Sequence, residues 1–393
     1  METRLKIAYL AIIDIRAEAA QTRHVFEVCE NFCRFGHKVT LFVPMVDGRP
    51  SQRLNTRVIK VRTFGLEQSF FLNVIFNCFC LFYLLKHFFK DGIDVIYTRQ
   101  TMLQFVPLLC FKPLGVKNVS EINGLDSEQK RLYGLATWKI RVSEWFNAIC
   151  YILADAIVVV TEEIKDCIVS RYPKISKKVH VVTNGANIEV SKPIPKELAC
   201  SALGLNPDLT YMIFVGSLKK WHGVKNAIVA LEKLIQQGRK LELIIVGAGP
   251  EKERLESVVK MKKLYDHTIF AGKVKHDMVP FYVGASYLCL APFDRSRNEV
   301  TGLAPLKIFE YMACGKPIVA TRVGGLERMI ARHNCGVAIE PEKIDCFVEA
   351  ITGLISQPGL AEHMGRNGRE AAEKYYAWPA ISQKLLEIIQ SAM

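Results

Sequence analysis

Tyr211-Met-Ile-Phe-Val215 is an unbroken apolar run, and Gly216-Ser-Leu-Lys-Lys-Trp-His-Gly223 follows it directly. A run this short, without polar alternation, reads as a strand buried on both faces. The two glycines bracket a loop that opens a helix. Strand, glycine loop and helix form the repeating unit of a parallel sheet, and the pattern recurs in both directions from here. Downstream, strands are expected at Leu241–Val246, Thr268–Phe270, Tyr287–Leu290, Pro317–Ala320 and Val337–Ile339. Upstream, an earlier series begins with Ile7–Ile13 and a helix near Ala19–Phe35 that Gly36 stops. It continues through Val39–Val43, Val58–Val61, Val95–Tyr97, Val116–Ser120, Ile157–Val160 and Val179–Val182. Ser191-Lys-Pro-Ile-Pro195 cannot pair regularly in a sheet and separates the two series as a linker. The expected fold class is α/β: two Rossmann-like, doubly wound parallel-sheet domains facing each other across a central cleft. The domains are placed at residues 1–190 and 191–375, with a C-terminal helix at 376–393. The helical pattern from Arg366 to Met393 is expected to kink at Trp378-Pro379.

Composition narrows the function classes. The chain has 393 residues, 50% hydrophobic and 23% charged, which excludes a disordered protein and allows two cores. Its net charge of +13 suits phosphorylated ligands or anionic lipid, or is ordinary solvated surface. No aromatic-interleaved basic stripe or zinc-finger spacing points to nucleic acid. The 12 cysteines are scattered without a Cys-x-x-Cys pair, as expected for reduced thiols in a cytoplasmic protein. No Cys/His cluster or Asp-x-Asp pair has metal spacing, so no metal is expected. The N-terminal apolar run reads as a first strand, not a signal peptide. Phe70 to Phe89 has no charge before Lys86. It reads as a core helix, as a helix lying in a membrane interface, or as a span. Spanning would put the strands on either side of it on opposite faces of the bilayer.

Ligands in such sheets sit beyond the carboxyl ends of the strands, so the loops there carry the chemistry. In Gly216–Gly223, free backbone N–H groups and a helix dipole favour a phosphate, with Lys219, Lys220 and His222 adding donors and charge. A plain turn would look the same. Val246-Gly247-Ala248-Gly249-Pro250 lacks the third glycine of a dinucleotide fingerprint, since Lys252 stands there. A tight strand-to-helix turn fits better. In Gly302-Leu-Ala-Pro-Leu-Lys307-Ile-Phe-Glu310-Tyr-Met-Ala-Cys-Gly315-Lys-Pro317, a helix is expected over Leu306 to Ala313. Lys307 and Glu310 share one of its faces. They are either a surface ion pair or a phosphate ligand and a ribose ligand.

Several stretches together carry a family resemblance: Phe35-Gly36-His37-Lys38-Val39-Thr40, Ala154-Asp155-Ala156-Ile-Val-Val-Val-Thr161, Val182-Thr183-Asn184-Gly185, Gly216…Trp221-His222-Gly223, Gly247-Ala248-Gly249-Pro250 and Glu310-Tyr-Met-Ala-Cys-Gly-Lys-Pro317. Along nearly its whole length the chain resembles the family 4 glycosyltransferases, retaining enzymes of GT-B architecture. The resemblance implies a nucleotide-sugar donor, a UDP- or GDP-sugar, on the second domain. Its contacts would be Gly216, Ser217, Lys219, Lys220, Gly223, Gly247, Gly249, Gly302, Leu303 and Glu310. Glu310 matches the second glutamate of the family's Glu-x7-Glu motif, which holds the ribose. The first falls at Gly302, with Glu299 nearby. The usual Arg and Lys of the phosphate loop are Ser217 and His222 here, with Lys219 or Lys220 compensating. On the first domain, Glu121 and Asn123 would touch donor sugar or acceptor, and Arg16 and Arg99 the acceptor side; Glu121 reads equally as a capping or packing carboxylate, and Arg99 as the partner of a neighbouring acid. His222 and Lys307, with Lys219 and Lys220, would stabilise the leaving diphosphate. The last helix would cross back to the first domain.

The implied reaction is metal-independent, cofactor-free, retaining transfer of a hexosyl or N-acetylhexosaminyl group. The expected acceptor is a glycan or polyprenyl-linked molecule of surface-polysaccharide assembly, such as lipopolysaccharide O-antigen. Peripheral contact with the inner face of the plasma membrane fits Phe70–Phe89 and the net charge. Two other readings stand beside it: a catalytically silent GT-B partner subunit, and a nucleotide-sugar epimerase.

Overall fold

The computed structural model describes residues 4–52, 54–64, 70–100, 104–125 and 137–393, with backbone only at 70, 139, 296, 297 and 300. The chain forms two compact units, Met1–Thr183 with Trp378–Met393, and Asn184–Ala377.

Among the described residues the first unit holds seven strands: β1 (Lys6–Leu10), β2 (Lys38–Pro44), β3 (Arg57–Val61), β4 (Val95–Arg99), β5 (Lys117–Ile122), β6 (Ala156–Val159) and β7 (Val179–Val181). They pair in parallel in the order β3-β2-β1-β4-β5-β6-β7. The order reverses between β1 and β4, so ligand chemistry is expected beyond Leu10 and Arg99. Right-handed crossovers put helix Ala20–Arg34 on one face of the sheet and helices Phe70–Asp91, Phe105–Phe111 and Thr137–Leu153 on the other.

Helix Phe70–Asp91 buries Leu72, Phe76, Cys80 and Leu84, the last three in a core cluster with Ala8, Phe42 and Ile96 of the sheet. It is long and apolar enough to cross a bilayer. However, β3 before it and β4 after it belong to one sheet, which excludes a span. The Phe70 side chain lies outside the described residues.

The second unit holds β8 (Thr210–Val215), β9 (Leu241–Val246), β10 (Thr268–Gly272), β11 (Leu288–Ala291), β12 (Ile318–Thr321) and β13 (Gly336–Ile339), all parallel, in the order β10-β9-β8-β11-β12-β13. Its switch point lies between β8 and β11. Two core clusters fill its two faces. Tyr211, Ile213 and Val215 point into one, and Met212 and Phe214 into the other. This two-sided burial is why β8 reads as an uninterrupted apolar run.

Two boundaries differ from the expected 1–190, 191–375 and 376–393. Residues 184–190 belong to the second unit, although they precede the proline-rich linker. Asn184 Nδ2 donates to the Ala304 carbonyl at 2.6 Å, and the Ala186 amide donates to the Tyr376 carbonyl at 2.8 Å. Those bonds tie the segment to the second unit. Nor is the C-terminus one kinked helix. Helix Pro358–Ala371 passes into a π-turn at Ala372–Tyr376, extended backbone at Ala377 intervenes, and helix Trp378–Ser391 starts afresh. Pro379 falls in the first turn of that new helix, where its missing N–H removes no bond. Helix Trp378–Ser391 packs on helix Ala20–Arg34, with the Trp378 ring edge-on to His24 at 5.2 Å.

Candidate active site

In the second unit the site is built where β8 ends. Gly216 has φ +143, and a Cβ there would lie 2.7 Å from Lys307 Nζ. A Cβ on Gly247 would meet the Gly216 carbonyl at 1.9 Å, and one on Gly249 the Leu218 carbonyl at 2.4 Å. The sequence-predicted glycines therefore let the loops after β8 and β9 lie backbone to backbone. Gly223, at φ +66, likewise admits the Pro292 carbonyl.

Helix Leu306–Ala313 runs as the sequence predicts, but all eight of its residues are buried. The Val215 amide donates to Tyr311 Oη at 2.7 Å and ties this helix to the end of β8. Lys307 is 7% exposed. Its Nζ lies 3.9 Å from the Phe214 ring centroid and 5.0 Å from that of Phe293. The ammonium has no hydrogen-bond partner among the described residues. Burial pulls its pKa from the ordinary lysine range to about 7, against the attraction of Glu310. A buried, unpaired cation aimed at a glycine beyond a strand end is costly unless an anion arrives to share it.

Lys307 and Glu310 are thus not a surface ion pair. Glu310, 6% exposed, instead takes His276 as its partner, with Nε2 3.0 Å from Oε1. Sequence reasoning missed His276. It follows β10 through Gly272, in the kind of loop where ligands sit, and that position was its one available signal.

The phosphate loop differs from expectation. The amides of Gly216, Leu218, Lys219, His222 and Gly223 already donate to backbone carbonyls. They do not form the open amide cradle expected from the glycines. Lys219 and Lys220 do not converge on Lys307. They line a pocket of about 240 Å3 with Gly223, Lys225 and Arg254, and neither Lys307 nor Glu310 lines it. Lys219 Nζ also lies 5.1 Å from the Trp221 ring. His222 bonds the Ser217 carbonyl through Nδ1, with Ser217 Oγ 3.5 Å away, and sets its ring edge-on to Phe293 at 5.4 Å. His222 and Lys307 therefore meet the same Phe293 ring.

Gly302 explains its own departure from the family motif. With φ +65 and ψ 178 it holds a conformation that side-chain-bearing residues rarely adopt, so a glutamate there would be strained. Leu303, half-buried, donates its amide to the Gly324 carbonyl at 2.8 Å. Glu299 sits on the exposed side of its helix, where Arg295 Nη1 lies 3.0 Å from its Oε1.

In the first unit, Glu121 is 1% exposed at the end of β5. Tyr9 Oη and Tyr97 Oη donate to its Oε2 at 3.1 and 2.9 Å. His24 Nε2 lies 2.9 Å from its Oε1, and Asn123 donates to the same oxygen. Burial raises the carboxyl's pKa, but His24, the Arg99 guanidinium and Asn123 outweigh it and hold the carboxylate below its usual range. Of the two readings the sequence left open for Glu121, this geometry matches the packing carboxylate, which acts as a positioning residue. It ties β1, β4 and β5 to the first turns of helix Ala20–Arg34 at the unit's switch point. Asn123 remains half-buried beside it. Arg99 Nη1 donates to the Gln21 carbonyl at 3.2 Å, and the exposed Arg16 pairs with Asp14 at 2.9 Å.

Comparison with known proteins decides the family. The model described as "Glycosyl transferases group 1" matches residues 196–371, and "Glycosyltransferase Family 4" matches residues 21–190. The chain belongs to the family 4 glycosyltransferases. It is 25% identical to the alpha-D-kanosaminyltransferase of Streptomyces kanamyceticus, over 72% of this chain and 73% of that one. Among solved structures, the sucrose-phosphate synthase of Thermosynechococcus elongatus superposes with a TM-score of 0.80 at 20% identity, covering 99% of both chains. Anabaena Alr3699/HepE, in complex with UDP and glucose, gives 0.76 at 15% identity over 99% of this chain and 100% of that one. Both show that this glycosyltransferase has the GT-B fold.

Proposed function

We propose that this glycosyltransferase moves a hexosyl or N-acetylhexosaminyl group from a UDP- or GDP-sugar to a glycan or polyprenyl-linked acceptor in surface-polysaccharide assembly, with retention of configuration and without a metal or other cofactor. One observation carries the donor half of this reading: the buried, unpartnered Lys307 ammonium at the Gly216 turn, beyond β8. As the bond from sugar to diphosphate breaks, negative charge grows on the leaving phosphate. A cation already held in a water-poor site stabilises that charge without reorganising. Glu310, beside His276 and one helical turn from Lys307, accepts hydrogen bonds from the ribose hydroxyls. Retention is carried over from the family resemblance. The acceptor hydroxyl attacks from the face the diphosphate leaves, and the departing phosphate oxygen takes its proton.

On the acceptor side, Arg99 and Asn123 stand at the strand ends that Glu121 aligns. The lipid-linked acceptor is supported by the basic net charge and by helix Phe70–Asp91, which shows aromatic residues to solvent. The UDP in the Anabaena structure supports a nucleotide donor, since that protein shares this fold.

Glu310→Ala is expected to raise the donor KM at least about tenfold while circular dichroism and Tm stay close to wild type. A hydrogen bond to a charged acceptor contributes about 1.5–3 kcal/mol. Wild-type transfer kinetics in that variant would remove Glu310 from the site.

A further inference from the structure

Two long helices of the first unit show apolar stripes to solvent, on the sides away from the core. On helix Thr137–Leu153, Trp138 and Trp145 are 64% and 61% exposed. With the exposed Val142 and Ile152 they recur at the helical period along one outer face. On helix Phe70–Asp91, Phe71, Phe82 and Phe89 do the same, with Phe89 80% exposed. Helix Phe105–Phe111 joins the two. Phe105 stacks on Phe146 at 5.5 Å, and Phe111 meets Phe88 at 5.7 Å. All three helices lie on one face of the sheet, so the stripes form a single surface.

We infer that this surface docks on an anionic lipid bilayer, with the aromatic side chains of both long helices seated among the headgroups. Charge decides for lipid over a protein partner. Lys86, Lys90 and Arg141 are exposed among the aromatics, and Lys112, exposed beside them, is held by the Leu153 carbonyl and Asp155. The neighbouring Asp91 and Glu144 are already paired with Arg57 and Arg171. Beside the end of helix Phe70–Asp91 opens a pocket of about 440 Å3 whose lining includes Arg4, Lys6 and Lys38 beside the Arg57–Asp91 pair. Tryptophan and phenylalanine ringed by lysine and arginine match the boundary between acyl chains and phosphate headgroups. The inference rests on the transferase reading for its purpose, which is to bring the enzyme to a lipid-linked acceptor.

The test is co-sedimentation of the full chain with phosphatidylglycerol–phosphatidylcholine vesicles at low and high salt, together with tryptophan fluorescence. Wild type is expected to bind, with a blue shift and weaker binding in high salt. Trp138→Ser/Trp145→Ser and Phe82→Ser/Phe89→Ser should each lose at least about tenfold in vesicle affinity, with Tm and donor affinity unchanged. Failure of wild type to bind, or wild-type binding by both variants, overturns the inference. So does dimerisation through this face, seen by light scattering, without vesicle binding. Donor titration of the same samples separates the two readings. Donor binding without vesicle binding sinks only the membrane face, and the reverse sinks only the donor site.

Discussion

Lys307→Met is expected to slow sugar transfer by about 10²–10³-fold while making the ligand-free protein more stable. The two effects have one cause. Among the described residues the ammonium, buried against Phe214 and Phe293, has no hydrogen-bond partner, and the attraction of Glu310 does not outweigh the cost of burying the charge. Methionine fills the same volume without that charge. The attraction between the cation and the Phe214 ring offsets part of the gain, which leaves a net stabilisation on the order of 1–3 kcal/mol. Because the folded-state pKa lies below the usual lysine value, the unfolded chain binds more protons between pH 7 and pH 10.5. The wild-type penalty is thus largest below pH 7 and shrinks as the pH rises. The rise in Tm should be larger at pH 6 than at pH 9, as calorimetry would measure. A residue that merely supported the fold would lose stability and activity together.

Glu121→Leu should have the largest effect on stability, about 3–5 kcal/mol, in a urea titration that follows unfolding of the first unit. Leucine removes the shared acceptor of Tyr9, Tyr97, His24 and Asn123 and leaves several buried polar groups unsatisfied. The carboxylate's pKa is depressed in the fold. Its contribution is therefore present above the ordinary glutamate pKa and is lost as acid protonates it. The difference between wild type and variant should accordingly narrow in strong acid. Donor affinity of the variant, measured in mild conditions, should stay near wild type. A loss below about 1 kcal/mol would show that the four partners do not depend on Glu121.

The strands were legible because parallel sheets bury both faces. The short, β-branched run Leu241–Val246 reads as a strand, and the structure has the same bounds. Helix Leu306–Ala313 was legible because Pro305 and Gly315 punctuate it. Spacing put Lys307 and Glu310 on one face but could not say that this helix is buried all round. That depends on the strands and helices packed around it, which come from distant parts of the sequence. The Glu121 cluster was hidden for the same reason, since its partners sit at positions 9, 24, 97 and 123. The stripe from Trp138 to Ile152 has a readable period. A helical period shows that a face is apolar, but not whether that face turns to the core or to solvent.

The most direct test is calorimetric titration of the wild-type chain with UDP-, GDP-, ADP- and dTDP-sugars at pH 6.5 and pH 8.5, in buffers of different ionisation enthalpy. Bound diphosphate raises the Lys307 pKa from its free value of about 7, so binding at pH 8.5 must take up a proton and weaken by about tenfold or more relative to pH 6.5. One nucleotide sugar should bind per chain, with that uptake and that loss. Binding that is independent of pH and proton-neutral, or no binding by any of the four, would contradict this.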